Sequence, residues 1–229
     1  MIDRSDIVAA PLEAAPADAP HLYTYFRSGA AQRVRIALAL KGIPYESRPV
    51  HLVRNGGEHL QPEFIAINPQ ARVPALRLPD GTVLAQSPAI LEYLEETVPE
   101  PALLPKAPVE RAKVRRVAAI IGCDIHPLNN VGPLNELRKA GWSDAQVAGW
   151  INKWISSGLQ AIEQLIGDDG WCFGDQPGLA DIYLAPQLSS ARRFKVPYDH
   201  LSRISRVAGL IESHPAFIEA APENQIDAE

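Results

Sequence analysis

A serine at the mouth of a helix can do two kinds of work, and Ser28 is placed for both. The stretch Tyr25–Leu38 (YFRSGAAQRVRIAL) runs from aromatic residues through the small gap Ser28-Gly29-Ala30-Ala31 into a helical pattern. At that gap the hydroxyl can cap the helix by accepting a backbone N–H. It can also donate a hydrogen bond to an anion, such as a thiolate sulfur that the chain does not itself supply, where the positive end of the helix adds to the attraction. A second helix mouth lies at Gln86-Ser87, with Pro88 at the first helical position. Free N–H groups there suit a carboxylate.

The elements that position these residues read as an α/β part followed by an all-α part. His21–Phe26 (HLYTYF) is aromatic and β-favouring and is predicted as a strand. A helix follows over 30–41, stopped by Gly42, and a second strand over 45–52. Residues 58–67 read as a short helix. Residues 75–78 and 82–85 read as a hairpin around Pro79-Asp80-Gly81, and a helix follows from Ser87 with Ile90, Leu91 and Leu94 periodic. The order is βαβ followed by ββα. The proline-rich stretch 100–108 reads as a linker. Beyond it only helical patterns remain, over 109–123, 144–166, 179–194, 200–213 and 215–220. The expected organisation is therefore a tail over 1–20, an α/β unit over 21–99, a linker over 100–108 and a helical bundle over 109–229.

The bulk composition narrows the function classes. In 229 residues, 46% are hydrophobic and 21% charged, with a formal net charge of -5. This is ordinary for a soluble domain, and the acidic balance argues against a nucleic-acid partner. No apolar run reaches about 18 residues, so no membrane span is expected. Residues 1–20 are rich in Ala and Pro and acidic, unlike a secretory leader, and read as a flexible tail of a cytoplasmic protein. The two cysteines, Cys123 and Cys172, are far apart and read as buried thiols. No Cys/His spacing suggests a metal.

Three stretches in order resemble the zeta class of glutathione transferases. They are YFRSGAAQRVRIALALKGIPYE, then NPQARVPAL with AQSPAILEYLEE, then GCDIHPLNN with SSARRFKV. The resemblance covers about residues 21–225. It implies a thioredoxin-like domain followed by a helical domain, glutathione as cofactor and a homodimer. It also implies glutathione-dependent cis–trans isomerisation of a small dicarboxylate of the maleylacetoacetate or maleylpyruvate kind. Conjugation or dehalogenation of an electrophile, or binding without chemistry, are the other activities this fold carries.

The resemblance also assigns roles. Ser28 would hold the glutathione thiolate, with Gly29 and Ala30 standing where the class usually has Ser and Cys. Val73, before a cis Pro74, would pair with the cysteinyl unit through its main chain. Gln86 and Ser87 would take the γ-glutamyl carboxylate, and His59, otherwise a solvated surface residue, the glycyl carboxylate. Arg27 and Arg193 would bind substrate carboxylates through their planar forks, whereas Arg192 and Lys195 read as surface charges. His126 and Asn130 would line the same site, the alternative for His126 being a packed polar residue before Pro127. Val131 and Gly132 stand where maleylpyruvate isomerase has an arginine, which favours maleylacetoacetate. Gly178 stands at a helix cap usually held by Ser or Thr, and Asp181, three residues on, is expected to be buried and to serve folding.

Overall fold

A computed structural model describes residue 16 and residues 18–229, so most of the expected tail lies outside the described residues. The chain divides into two compact units, one running up to Ile90 and including Glu219–Glu229, the other spanning Leu91–Ile218.

In the first unit, β1 (His21–Thr24) is the hub of a four-stranded sheet of order β2-β1-β3-β4. It pairs in parallel with β2 (Glu46–Pro49) and antiparallel with β3 (Ala75–Arg77), which pairs antiparallel with β4 (Val83–Ala85). A parallel neighbour requires a crossover, and α1 (Gly29–Leu40) supplies it. Every residue from Ala31 to Leu38 is buried, the polar Gln32, Arg33 and Arg35 included, so this helix is covered on all sides rather than striped. It ends where Gly42 takes φ +62 and Ile43 N–H bonds back to the Leu38 carbonyl at 2.9 Å. The β3–β4 hairpin turns at Gly81, φ +90, where Asp80 Oδ1 accepts from Thr82 N–H at 2.8 Å. Beyond β2 the expected single helix over 58–67 is broken. A 3₁₀ turn at Glu58–Leu60 and a short α2 (Pro62–Ile65) are separated by Gln61 in extended conformation, the residue before a proline. Tyr25, Phe26, Val50, Phe64 and Val73 pack into one cluster beneath this region.

In the helical unit, α4 (Pro108–Ala119) continues into a π-helical segment, Ile120–Ile125, and then a 3₁₀ turn, His126–Asn129. The sequence pattern predicts one plain helix over 109–123, because the apolar spacing at 114, 117, 118 and 121 runs on without a break. A helix not expected from the sequence, α5 (Val131–Lys139), follows; Asn130 caps it, its side-chain oxygen accepting from Val131 N–H at 2.8 Å. Next, α6 (Asp144–Glu163) opens with a capping box of Ser143 and Gln146. It buries Val147, Ile151, Ile155, Leu159 and Ile162, while Trp150 and Trp154 are only half-buried and stack edge-on with each other at 5.6 Å. After it come α7 (Leu179–Arg193), α8 (Ser202–Ser213) and α9 (Pro215–Glu219). Between the units in sequence lies α3 (Ser87–Thr97), which begins in one and ends in the other.

Two expectations need correcting. Cys172 is buried, and burial pushes its thiol well up, but Cys123 is exposed, because it points away from the face carrying Ile121 and Ile125. The bundle read over 109–229 also loses its last segment. Residues Glu219–Glu229 belong with the sheet, where the buried Arg35 donates to the Ala220 carbonyl at 3.1 and 3.3 Å.

Candidate functional site

Ser28 sits half-buried between β1 and α1, in extended conformation at φ -74, ψ 111. Its Oγ accepts from Ala31 N–H at 3.2 Å, and its carbonyl takes the first helical bond, from Gln32. It is thus the N-cap. Capping uses a lone pair of the hydroxyl and leaves its O–H free to donate. The two readings of this serine are compatible in one geometry, at the positive end of a 12-residue helix. Arg27 is exposed, with its guanidinium 4.7 Å from the Phe26 ring centroid.

The Val73–Pro74 peptide is cis, and Val73 is buried beside β3. At the second helix mouth the cap falls one residue earlier than a first helical position at Pro88 suggests. The Gln86 carbonyl accepts from Ile90 N–H at 3.1 Å, so Gln86 is the cap and Ser87 the first residue of α3. Gln86 adopts φ +68, a left-handed conformation uncommon outside glycine and of the kind that concentrates at ligand sites. Its side chain bonds to Gln70. Ser87 is buried, and its hydroxyl meets Nη1 of Arg33, itself buried on α1, at 3.5 Å.

His59 is folded against Gly57. A β-carbon at Gly57 would lie 2.7 Å from the imidazole Cε1, and φ +101 there independently favours glycine. Burial lowers the His59 pKa, so its neutral form is favoured, and its Nδ1 is buried with no partner among the described residues.

In the helical unit, His126 is the first residue after the π-helical segment and is half-buried. Asn130 spends its side-chain oxygen on capping α5. Its neighbour Asn129, which the sequence does not single out, is buried with Nδ2 unpartnered among the described residues. Arg193 ends α7, exposed, with its guanidinium 4.5 Å from the Phe194 ring centroid. Arg192 is tied to the Tyr198 hydroxyl at 2.6 Å and to Glu212, and Lys195 is exposed at φ +57, both in keeping with surface roles. Buried Asp181 accepts from Gly178 N–H and Cys172 N–H, each at 2.9 Å. Glycine stands at 178 because the Leu103 carbonyl oxygen lies 3.0 Å from where a β-carbon would go.

Two family models match the chain, the N-terminal domain of glutathione S-transferase over residues 27–97 and its C-terminal domain over residues 141–218. A maleylacetoacetate isomerase from Pseudomonas aeruginosa is 60% identical over 206 residues, covering 90% of this chain and 97% of the relative. A maleylpyruvate isomerase from a Ralstonia species is 48% identical over 215 residues, covering 90% and 99%. Among solved structures, a holo maleylpyruvate isomerase described as a bacterial zeta-class glutathione transferase superposes with a TM-score of 0.86 at 48% identity, covering 91% of this chain and all of that one. A maleylacetoacetate isomerase from Anaeromyxobacter dehalogenans with bound glutathione gives 0.83 at 40% identity, covering 92% and 98%.

Proposed function

This chain belongs to the glutathione S-transferase family, in its zeta class, and from that premise we propose that it is a glutathione-dependent isomerase converting maleylacetoacetate to fumarylacetoacetate. The observation that carries the reading is Ser28, capping α1 through its oxygen while its O–H remains able to donate.

The residues present fit glutathione. A hydroxyl at one helix mouth, the main chain of Val73 beside a cis proline and a second helix mouth at Gln86-Ser87 are hydrogen-bonding groups suited to a peptide with a thiol and two carboxylates. Ser28, with the amides of Gly29 and Ala30, would hold the sulfur. Val73 and Pro74 would hold the cysteinyl unit, Gln86 and Ser87 the γ-glutamyl end and His59 the glycyl end. When bound, glutathione supplies a thiolate that adds to the cis double bond, so that it can rotate, and then leaves unchanged.

The chain's own part is binding and electrostatics. Ser28 favours the ionised sulfur by donating to it, aided by the α1 dipole. Arg27 and Arg193 are assigned to the substrate carboxylates, where a guanidinium fork offers two parallel bonds. His126 and Asn130 are assigned as polar groups toward substrate and cofactor, Asn130 keeping its amide N–H groups to donate while its oxygen caps α5. Such groups act by stabilising charge where it develops. Val131 and Gly132, in place of an arginine, support the longer and more apolar maleylacetoacetate over maleylpyruvate. We place the enzyme in the cytoplasm, as a homodimer. Two free cysteines suit a reducing compartment, and the dimer follows from the class.

The test follows ultraviolet loss of maleylacetoacetate and maleylpyruvate, with and without glutathione, beside a chloronitrobenzene conjugation assay. Isomerisation that needs glutathione without consuming it, and that is lost in Ser28→Ala, is expected. Stoichiometric glutathione loss to the aryl halide with no isomerisation would overturn the isomerase and leave a conjugating transferase. Faster turnover of maleylpyruvate would overturn the substrate assignment alone. Sedimentation of the purified protein as a monomer would remove the dimer.

A further inference from the structure

Phe26 is held by its main chain at both of its polar groups. Its N–H donates to Oδ2 of Asp227 at 3.0 Å, across 201 residues of sequence. Its carbonyl accepts from Nη2 of Arg35 at 3.1 Å. The Arg35 guanidinium is fully buried and also reaches Thr24 Oγ1 at 2.8 Å, the Tyr25 carbonyl at 3.4 Å and the Ala220 carbonyl at 3.1 and 3.3 Å. One buried cation therefore fastens the end of β1 to the Glu219–Glu229 segment, and Asp227 returns a carboxylate to the same stretch. The second oxygen of Asp227 is buried with no partner among the described residues. The charge on this carboxylate is set against Arg35, whose positive form it favours.

The segment then continues to Glu229, which pairs with Arg54 and lies 3.4 Å from His51 Nε2. The hydrogen bond from Arg54 holds the Glu229 carboxyl below its usual range, with a smaller contribution from Arg27. The Arg27 guanidinium in turn rests over the ring of Phe26, the residue that Asp227 holds.

We propose that Asp227 is a positioning residue for the catalytic turn. Its carboxylate holds the Phe26 amide, and through it fixes the peptide that presents Arg27 and Ser28. An amide bonded to an ionised carboxylate is held more strongly than in a neutral pair. With the carboxylate removed, a buried N–H is left unpaired and the turn gains freedom. Because the Ser28 hydroxyl must meet its anion within hydrogen-bond distance, small displacements there reduce thiolate stabilisation. The inference rests on the proposed function only for what Ser28 holds; the restraint of the turn stands apart from it.

Three measurements on the full chain test it, using Asp227→Ala and Asp227→Asn. The first is amide hydrogen exchange over residues 24–32 without any ligand. Exchange at Phe26 is expected to rise about tenfold in Asp227→Ala and about threefold in Asp227→Asn, which keeps an acceptor oxygen but no charge. The second is an ultraviolet titration of the thiol of bound glutathione, whose midpoint is expected to rise in the alanine variant and largely return in the asparagine variant. The third is kcat/KM for isomerisation, expected to fall about tenfold in Asp227→Ala. Unchanged exchange at Phe26 in both variants overturns the proposal, as does faster exchange with an unmoved thiol midpoint, which would reduce Asp227 to a structural tether. If Asp227→Ala does not fold, the threefold effect in Asp227→Asn decides. A wild-type protein that does not isomerise while the exchange and thiol shifts occur refutes the proposed function and supports the role of Asp227.

Discussion

The side chain of Ile125 occupies the space in which Gly158 would carry a β-carbon. An alanine at 158 would place that carbon 2.2 Å from Ile125 Cδ1 and 2.5 Å from Cγ1, and Ile125 is fully buried with nowhere to retreat. Ile125 directly precedes His126. Gly158→Ala is therefore expected to destabilise the protein by about 1–3 kcal/mol through overpacking. Movement of Ile125 is also expected to lower kcat/KM in the molecules that remain folded. Denaturant midpoints and active-site-normalised kinetics read the two effects separately; a variant as stable and as active as wild type would show that the Ile125 side chain repacks freely.

Ser28→Ala removes a cap and a donor together. The cap is worth about 1 kcal/mol, an amount visible in thermal unfolding. The loss of thiolate stabilisation is expected to lower kcat about a hundredfold, by analogy with removal of one positioned donor at a developing charge. Ser28→Thr restores both groups in kind. If the threonine variant is as inactive as the alanine variant, the available volume at this turn matters more than the hydroxyl.

Asp181 has two acceptor oxygens facing two amides, and an asparagine can satisfy only one of them. Asp181→Asn is expected to destabilise by about 2 kcal/mol or more, with kcat unchanged per folded molecule. Burial raises the Asp181 pKa above 3.8. Between 3.8 and the raised value, the folded protein holds more protons at this site than the unfolded chain does. This group's contribution to stability is therefore greatest at low pH and declines as pH rises through that window. Comparing unfolding free energies of wild type and Asp181→Asn across acid pH is expected to show this slope in wild type alone.

For His59 the sign is the reverse of a standing cation. Its pKa is lowered from 6.5 by burial, so at neutral pH it acts as a neutral hydrogen-bonding ring. His59→Ala is expected to raise the KM for glutathione a few-fold at constant kcat, with the ratio to wild type flat from about pH 7 to 8.5. At pH values below the ordinary imidazole range the ratio is expected to grow, as the wild-type imidazole gains charge toward a carboxylate. A ratio that already climbs between pH 8 and 7 would mean that ligand binding reverses the lowered pKa.

Short-range signals in the sequence carry most of the sheet and the helices, because alternation, helix periodicity and turn residues are local. Pro79-Asp80-Gly81 marks the hairpin, and Gly42 the end of α1. What escapes is of three kinds. The helix α5 is masked by Gly132 and Pro133 in its first turn, where proline is tolerated but reads as a breaker. The π-helical segment shares the apolar spacing of the α-helix before it. The return of Glu219–Glu229 to the sheet depends on the bonds of Arg35 to the Ala220 carbonyl and of Asp227 to the Phe26 amide, long-range partners that no local pattern encodes. At the candidate site, Ser28, Gln86 and Ser87 are legible as helix mouths. Which of Gln86 and Ser87 caps α3 is not, since that depends on a left-handed backbone at Gln86 that its side chain does not announce. Asn129 is hidden for a similar reason, its burial being set by packing around the 3₁₀ turn.

The π-helical segment Ile120–Ile125 also gives this stretch a one-sided sensitivity to length. Each residue of an α-helix turns the chain by about 100°, and a residue in the wider π turn advances it by less. Deleting a single residue here would let the wider turn tighten into ordinary helix, and the tighter winding would take up most of the loss, so His126 would keep roughly its facing relative to α4. An added residue has no such slack to draw on and would deliver an angular error of roughly 100° to His126 and all that follows. The stretch should therefore tolerate the loss of one residue far better than the gain of one.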